Sequence, residues 1–212
     1  MSGTPLHRNP FVWAFVIGIV TLTLLRPVLR RVPEPPPVLG QLPEFSLVDA
    51  AGAPYGSREL RGEVYVVSFF FTTCRSICPA IMSGMAKLRD GFDQRGIHGI
   101  RLVSISVDPE HDTPEVLRRY AGQFHVDPAR WVLLTGDPAR VRALVVDGFK
   151  TPMDPAIAPA GSEPMDIAHT GKIVLVDGSG GIRGYYGTDD LGLDEVFNRA
   201  QHVLEQEGER PR

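Results

Sequence analysis

Residues 64–82, VYVVSFFFTTCRSICPAIM, limit what this chain can fold into more than any other stretch. From 64 to 71 every residue but Ser68 is apolar, and most are β-branched or aromatic, the pattern of a strand buried on both faces. Two threonines follow, then Cys74, Cys78 and Pro79, then a run of good helix formers with apolar residues at helical spacing. The pattern predicts a central strand that hands over to a helix at a pair of thiols. Unpaired amides and the macrodipole at a helix start favour anions, so a cysteine there is more easily a thiolate, which is both a nucleophile and a metal ligand. These are the chain's only two cysteines. Four apart on the first helical turn, they are expected to share a face, within reach of one ion or of each other.

Upstream, residues 1–31 hold Arg8, Arg26, Arg30 and Arg31 and no acidic residue, around an apolar run over 11–25. With residues 27–29 extending it and Arg26 snorkelling, this run reads as an uncleaved N-terminal membrane anchor. Lys and Arg are more frequent after the run than before it, which taken alone would hold the following domain on the cytoplasmic side. Residues 32–43, VPEPPPVLGQLP, carry five prolines and read as a stiff spacer. A single domain is expected over 44–207, with a tail at 208–212. Beyond residue 31 there are 18 Lys and Arg against 25 Asp and Glu, a formal charge of −7 with no basic stripe, and this argues against nucleic acid as a partner.

Within the domain, strands are expected at 44–48, 64–71, 100–107, 131–134, 172–176 and 182–186. Helices are expected after the cysteines and at 113–124, 138–149 and 193–205, with Thr113 as a cap and Pro114 in its first turn. Strand and helix alternation closed by a hairpin and a helix is an α/β sandwich with a mixed sheet. With thiols at the first strand-to-helix junction, the arrangement is thioredoxin-like. Residues 151–168 form the one long irregular stretch, which ends at His169; a loop of that length inside a compact domain is usually functional.

A structural disulfide between Cys74 and Cys78 would close a loop of a few residues and stabilise little. A structural zinc site needs a second ligand cluster, and the sequence has none. Three residues separate the cysteines, where a thioredoxin oxidoreductase has two. The threonine that peroxiredoxins keep three residues before the cysteine is here Phe71, and their upstream proline is Val67. Two thiolates on one turn suit a soft ion, and Cu(I) accepts two sulfurs and an imidazole. His7, His98, His125 and His202 have ordinary surface settings, which leaves His111 and His169. Taken alone, a lone histidine is more often a structural residue than a ligand.

TTCRSICP, SVDPEHDTPEVLRRYAGQF and IAHTGKIVLVDGSGGIRGYYG, in this order and at these separations, resemble the Sco/SenC family, membrane-anchored thioredoxin-fold proteins of copper metabolism. The resemblance implies a copper site at Cys74 and Cys78 with His169 as third ligand. It implies delivery of copper to the dinuclear copper centre of cytochrome c oxidase subunit II, from a domain facing the periplasm or the intermembrane space. Against the charge count, that is the orientation expected. The competing expectation is an enzyme, a thiol-disulfide reductase in which Cys74 attacks and Cys78 resolves, keeping the cysteines of that copper centre or of other exported proteins reduced. A copper-sensing or assembly module is a third. Family members often carry an acidic residue just before the histidine, where this chain has Ala168. Asp108 and Asp112 offer a carboxylate to orient the imidazole, or equally caps for the following helix. Met153 and Met165 offer thioethers on the long loop.

Overall fold

The computed structural model describes residues 10–29, 35–151 and 171–209. It divides into two compact units, Met1–Glu34 and Pro35–Arg212. The first contains one described helix, α1 (Pro10–Leu29), 20 residues long and therefore about 30 Å. Side chains are described over 11–21, and Phe11, Trp13, Phe15 and Ile17 among them are exposed. Among the described residues no helix is long and apolar enough to cross a membrane.

The second unit is built on β4 (Val64–Phe70), all seven of whose residues are buried. It pairs in parallel with β5 (Ile100–Ser106) along its whole length, from Val64 opposite Ile100 to Phe70 opposite Ser106. Beyond β5 lie β6 (Trp131–Thr135), also parallel, and then β2 (Ser46–Asp49) and β3 (Pro54–Gly56), each antiparallel to its neighbour. On the other side of β4 come antiparallel β7 (Lys172–Val176), β8 (Gly181–Gly187) and the two-residue β1 (Gly40–Gln41). The sheet order is β1-β8-β7-β4-β5-β6-β2-β3, so the cysteine strand lies in the middle of a mixed sheet as the sequence predicts.

Ser68, the single polar residue of β4, faces Ser104 in register, and their hydroxyls lie 2.7 Å apart. The Trp131 indole N–H donates to Ser104 at 2.9 Å. Three buried polar groups on three strands therefore satisfy one another, which a buried hydroxyl requires.

Helix α2 (Cys78–Gln94) follows β4, and α5 (Asp190–Glu209) packs on it and on β8. Phe92 and Phe197 meet edge to face at 4.9 Å. This approach requires Gly91, because a Cβ there would sit 2.3 Å from the Phe197 ring. Helix α3 (Pro114–Gln123) packs against β6, capped by Thr113, whose hydroxyl accepts the Val116 N–H. Helix α4 (Pro138–Ala143) departs from expectation. Only its first six residues are α-helical, and Leu144–Gly148 continue as a π-helical turn that ends with Phe149 N–H donating to the Leu144 carbonyl.

The expected spacer at 32–43 is corrected in extent. From Pro35 the chain belongs to the folded unit. The Leu39 N–H donates to Ile182, the Leu42 N–H donates to Gly180, and the Arg183 guanidinium donates to the Pro36 carbonyl at 2.7 Å. Proline-rich composition favours an extended chain, and here the extended chain is paired with a sheet edge.

Candidate functional site

The site lies where β4 ends. Cys78 is the first residue of α2, and Pro79 follows in its first turn, where a missing N–H costs nothing. Cys74 precedes the helix rather than sharing its first turn, a correction to the expected placement. Its own N–H donates to the Phe71 carbonyl at 3.3 Å, and its sulfur accepts the Cys78 N–H at 3.4 Å. No side chain of the N-cap residue Ile77 caps α2, and the Cys74 sulfur instead takes up the unpaired N–H of the first helical residue, Cys78. The Ser76 hydroxyl lies 3.6 Å from the same sulfur. Both cysteines are free thiols, Cys78 fully buried and Cys74 6% exposed.

The two thiols are electrostatically unequal. Burial raises the Cys74 pKa, but hydrogen bonds from Cys78 and Ser76 outweigh it and leave the thiol below its ordinary value. Burial pushes Cys78 up to about 12, and its contact with Cys74 and the charge of Asp112 add to the effect. At pH 7 iodoacetamide is therefore expected to alkylate Cys74 at least about tenfold faster than Cys78, since the gain in thiolate fraction exceeds the loss in nucleophilicity. Mass spectrometry of briefly treated, reduced protein checks this; equal labelling contradicts it.

The loop that carries Cys74 is held from below by Asp112, which is fully buried. One carboxylate oxygen accepts the Thr72 hydroxyl, and the other accepts the Thr72 N–H at 3.0 Å and the Ser106 hydroxyl at 2.5 Å. Asp112 thus ties the residue two before Cys74 to the end of β5. It does not cap α3, because Thr113 does. Asp108 binds the exposed His111, whose Nδ1 lies 2.9 and 3.0 Å from its two carboxylate oxygens; that hydrogen bond raises the His111 pKa. His169, Ala168, Met153 and Met165 lie outside the described residues. Among the described residues no three His, Cys, Asp or Glu side chains gather as a metal site.

Two residues near the thiols escape a reading of the sequence. Thr72 and Tyr120 are ordinary members of a strand exit and a helix stripe, and only the fold brings them here. Tyr120 and Leu117 are the buried residues of α3, a three-residue spacing that marks the helix face but not its neighbour. Gly171, the first described residue after the long loop, has φ +51°, and a Cβ on it would lie 3.3 Å from the Ile77 side chain, one residue before Cys78.

A mixed sheet with an unbridged dithiol at the exit of its central strand defines a thioredoxin-like dithiol protein. The SCO1/SenC family model matches residues 38–205, and the chain belongs to that family. It is 26% identical over 164 residues to the SCO1 protein homolog of Bacillus subtilis strain 168, covering 76% of this chain and 82% of that one. Its fold matches BsSco, described as a member of the Sco family of cytochrome c oxidase assembly proteins with a disulfide switch. That match has a TM-score of 0.68 and 25% identity, over 80% of this chain and 97% of the other. It also matches the fold of Bradyrhizobium japonicum ScoI, crystallised with copper bound, at a TM-score of 0.64 and 23% identity over 78% and 100% of the two chains.

Proposed function

We propose that this protein is a copper carrier of cytochrome c oxidase assembly. Cys74, Cys78 and His169 hold one copper as cargo and pass it to the dinuclear copper centre of subunit II. The observation that carries the reading is the unbridged pair of thiols, with the Cys74 sulfur 3.4 Å from the Cys78 amide and the Cys74 thiol depressed. Two soft donors lie side by side, one of them readily charged, and this suits Cu(I). In the sequence His169 stands two residues before Gly171, the glycine that lies against Ile77. Membership of the SCO1/SenC family and the cytochrome c oxidase assembly role stated for BsSco support the reading.

The exposed apolar side chains of α1 support attachment to a membrane, although the described helix falls short of a span, and the folded unit then faces the periplasm or the intermembrane space. Reduced full-length protein is expected to take up one Cu(I) per chain. After oxidation to the Cys74–Cys78 disulfide it is expected to take up none. Copper bound equally well by the oxidised form would contradict the reading.

The inequality of the thiols favours a second role as a thiol-disulfide reductase. The Cys74 thiolate attacks a partner disulfide and releases one partner thiol. Cys78 then loses its proton and displaces the second partner thiol, forming the Cys74–Cys78 disulfide, so the partner gains two electrons and two protons. A depressed attacking thiol and a buried resolving one fit this order.

A further inference from the structure

Arg75 follows Cys74 directly in the loop between the two thiols, and it is exposed. Among the described residues it has no ion-pair or hydrogen-bond partner. Exposed cations elsewhere on the folded unit are commonly paired, as Arg61 is with Glu44 and Lys87 with Asp190. The carboxylates that the fold brings to this loop do not neutralise Arg75. Hydrogen bonds from Thr72 to Asp112 hold the 108–112 turn against the cysteine loop. Asp112 is fully buried and engaged by Thr72 and Ser106, and Asp108 is 13% exposed and held by His111. Glu110, the third carboxylate of the turn, is exposed and forms no ion pair with Arg75.

A solvated guanidinium with no partner contributes little to the fold, and what it can act on is whatever approaches the neighbouring sulfur. We propose that Arg75 is a specificity-determining residue of the dithiol, favouring partners that carry a carboxylate beside the sulfur they exchange with Cys74. The inference deepens the reductase reading above and rests on it for the exchange itself. Arginine keeps its charge at every working pH, so no change in its protonation is involved. The formal charge of −7 beyond residue 31 acts in the opposite sense. At 0.1 M salt, however, charges more than about 10 Å apart are largely screened, so a cation beside the sulfur outweighs the field of the whole unit.

Small disulfides of similar size and different charge isolate the effect: dithiodipropionate is dianionic at pH 7, hydroxyethyl disulfide neutral and cystamine dicationic. In each case the Cys74 thiolate attacks one sulfur, the S–S bond of the reagent breaks, and half of the reagent leaves as a thiolate. The reagent is reduced, and Cys74 is oxidised to a mixed disulfide. Rates are measured on reduced full-length protein by mass spectrometry, counting the mixed and the closed Cys74–Cys78 disulfides together. The ionised fraction of Cys74 is common to all the reagents and cancels from the ratios of their rates. In Arg75→Gln the rate with dithiodipropionate is expected to fall about threefold and that with cystamine to rise about threefold, so their ratio falls about tenfold, while hydroxyethyl disulfide reacts as with the wild type. Arg75→Lys is expected to restore the wild-type ratio. A ratio that changes by less than about twofold in Arg75→Gln overturns the proposal. So does an equal slowing with all the reagents, because Arg75 would then act on the thiol and not on the partner. If the wild type reacts with all of them no faster than free cysteine does, the reductase reading fails, and a tenfold shift in the ratio still upholds this inference.

Discussion

Cys78→Ser is expected to lower the affinity of the reduced protein for Cu(I) by on the order of a thousandfold, because a hard hydroxyl replaces one of only two soft donors. The variant tests the ligand set and not merely the fold, and the position allows the two to be separated. Cys78 is fully buried among apolar residues, so a serine hydroxyl there also carries a desolvation cost of about 1–3 kcal/mol. Cys78→Ala avoids that cost and leaves only a small void. The carrier account expects both variants to lose copper alike in competition with a Cu(I) chelator, whatever their melting temperatures. Affinity that followed melting temperature would point to the fold instead.

Asp177→Ala is expected to cost about 3–5 kcal/mol, because it removes one partner of a buried ion pair. Asp177 is fully buried. One of its oxygens accepts the Ser179 N–H at 2.9 Å, the Ser179 hydroxyl at 2.6 Å and the Gly181 N–H at 2.9 Å, and the other accepts Arg183 Nε at 2.6 Å. Removing it would open the β7–β8 turn and strand a guanidinium that is only 3% exposed and holds the Pro36 carbonyl. Segment 36–43 should then become sensitive to protease.

Burial raises the Asp177 pKa, but hydrogen bonds from Ser179, Arg183 and Gly181 outweigh it, and the carboxyl is left below its ordinary 3.8. Its contribution is therefore fully present above that unfolded value and is lost as pH falls through the lower, folded one. The difference in unfolding free energy between wild type and Asp177→Ala, measured in urea, should hold from neutral pH to about 5 and shrink below 4. A cost under about 1 kcal/mol at pH 7 would contradict this account of the pair.

How far the sequence carries depends on how local each signal is. The β4 run, the helix after the cysteines and the Thr113-Pro114 helix start are written in neighbouring residues, and the structure has them within a few positions of where periodicity puts them. Strand β1 is two residues long and exists only because Gly40 and Gln41 find Ile182 and Gly181, some 140 residues away. No local pattern encodes that pairing, and five prolines read as a spacer. The change from α to π geometry falls on Leu144–Gly148, where two valines, an aspartate and a glycine weaken the helix without encoding what replaces it.

At the site, the thiols announced themselves through their spacing and their strand. Asp112 did not, because what distinguishes it from a helix cap is Thr72, forty residues earlier. Tyr120 looked like one more core aromatic, and only its orphaned hydroxyl sets it apart. His169 rests on the family pattern and on the position of Gly171 beside Ile77.

The most direct test of the account is Cu(I) binding by reduced full-length His169→Ala beside the wild type, with disulfide formation by both proteins followed in parallel. The account predicts that affinity falls at least about tenfold as a three-donor site loses its imidazole, while the dithiol oxidises at the wild-type rate. Unchanged copper affinity in His169→Ala would contradict the three-ligand carrier and leave the dithiol as a redox centre alone.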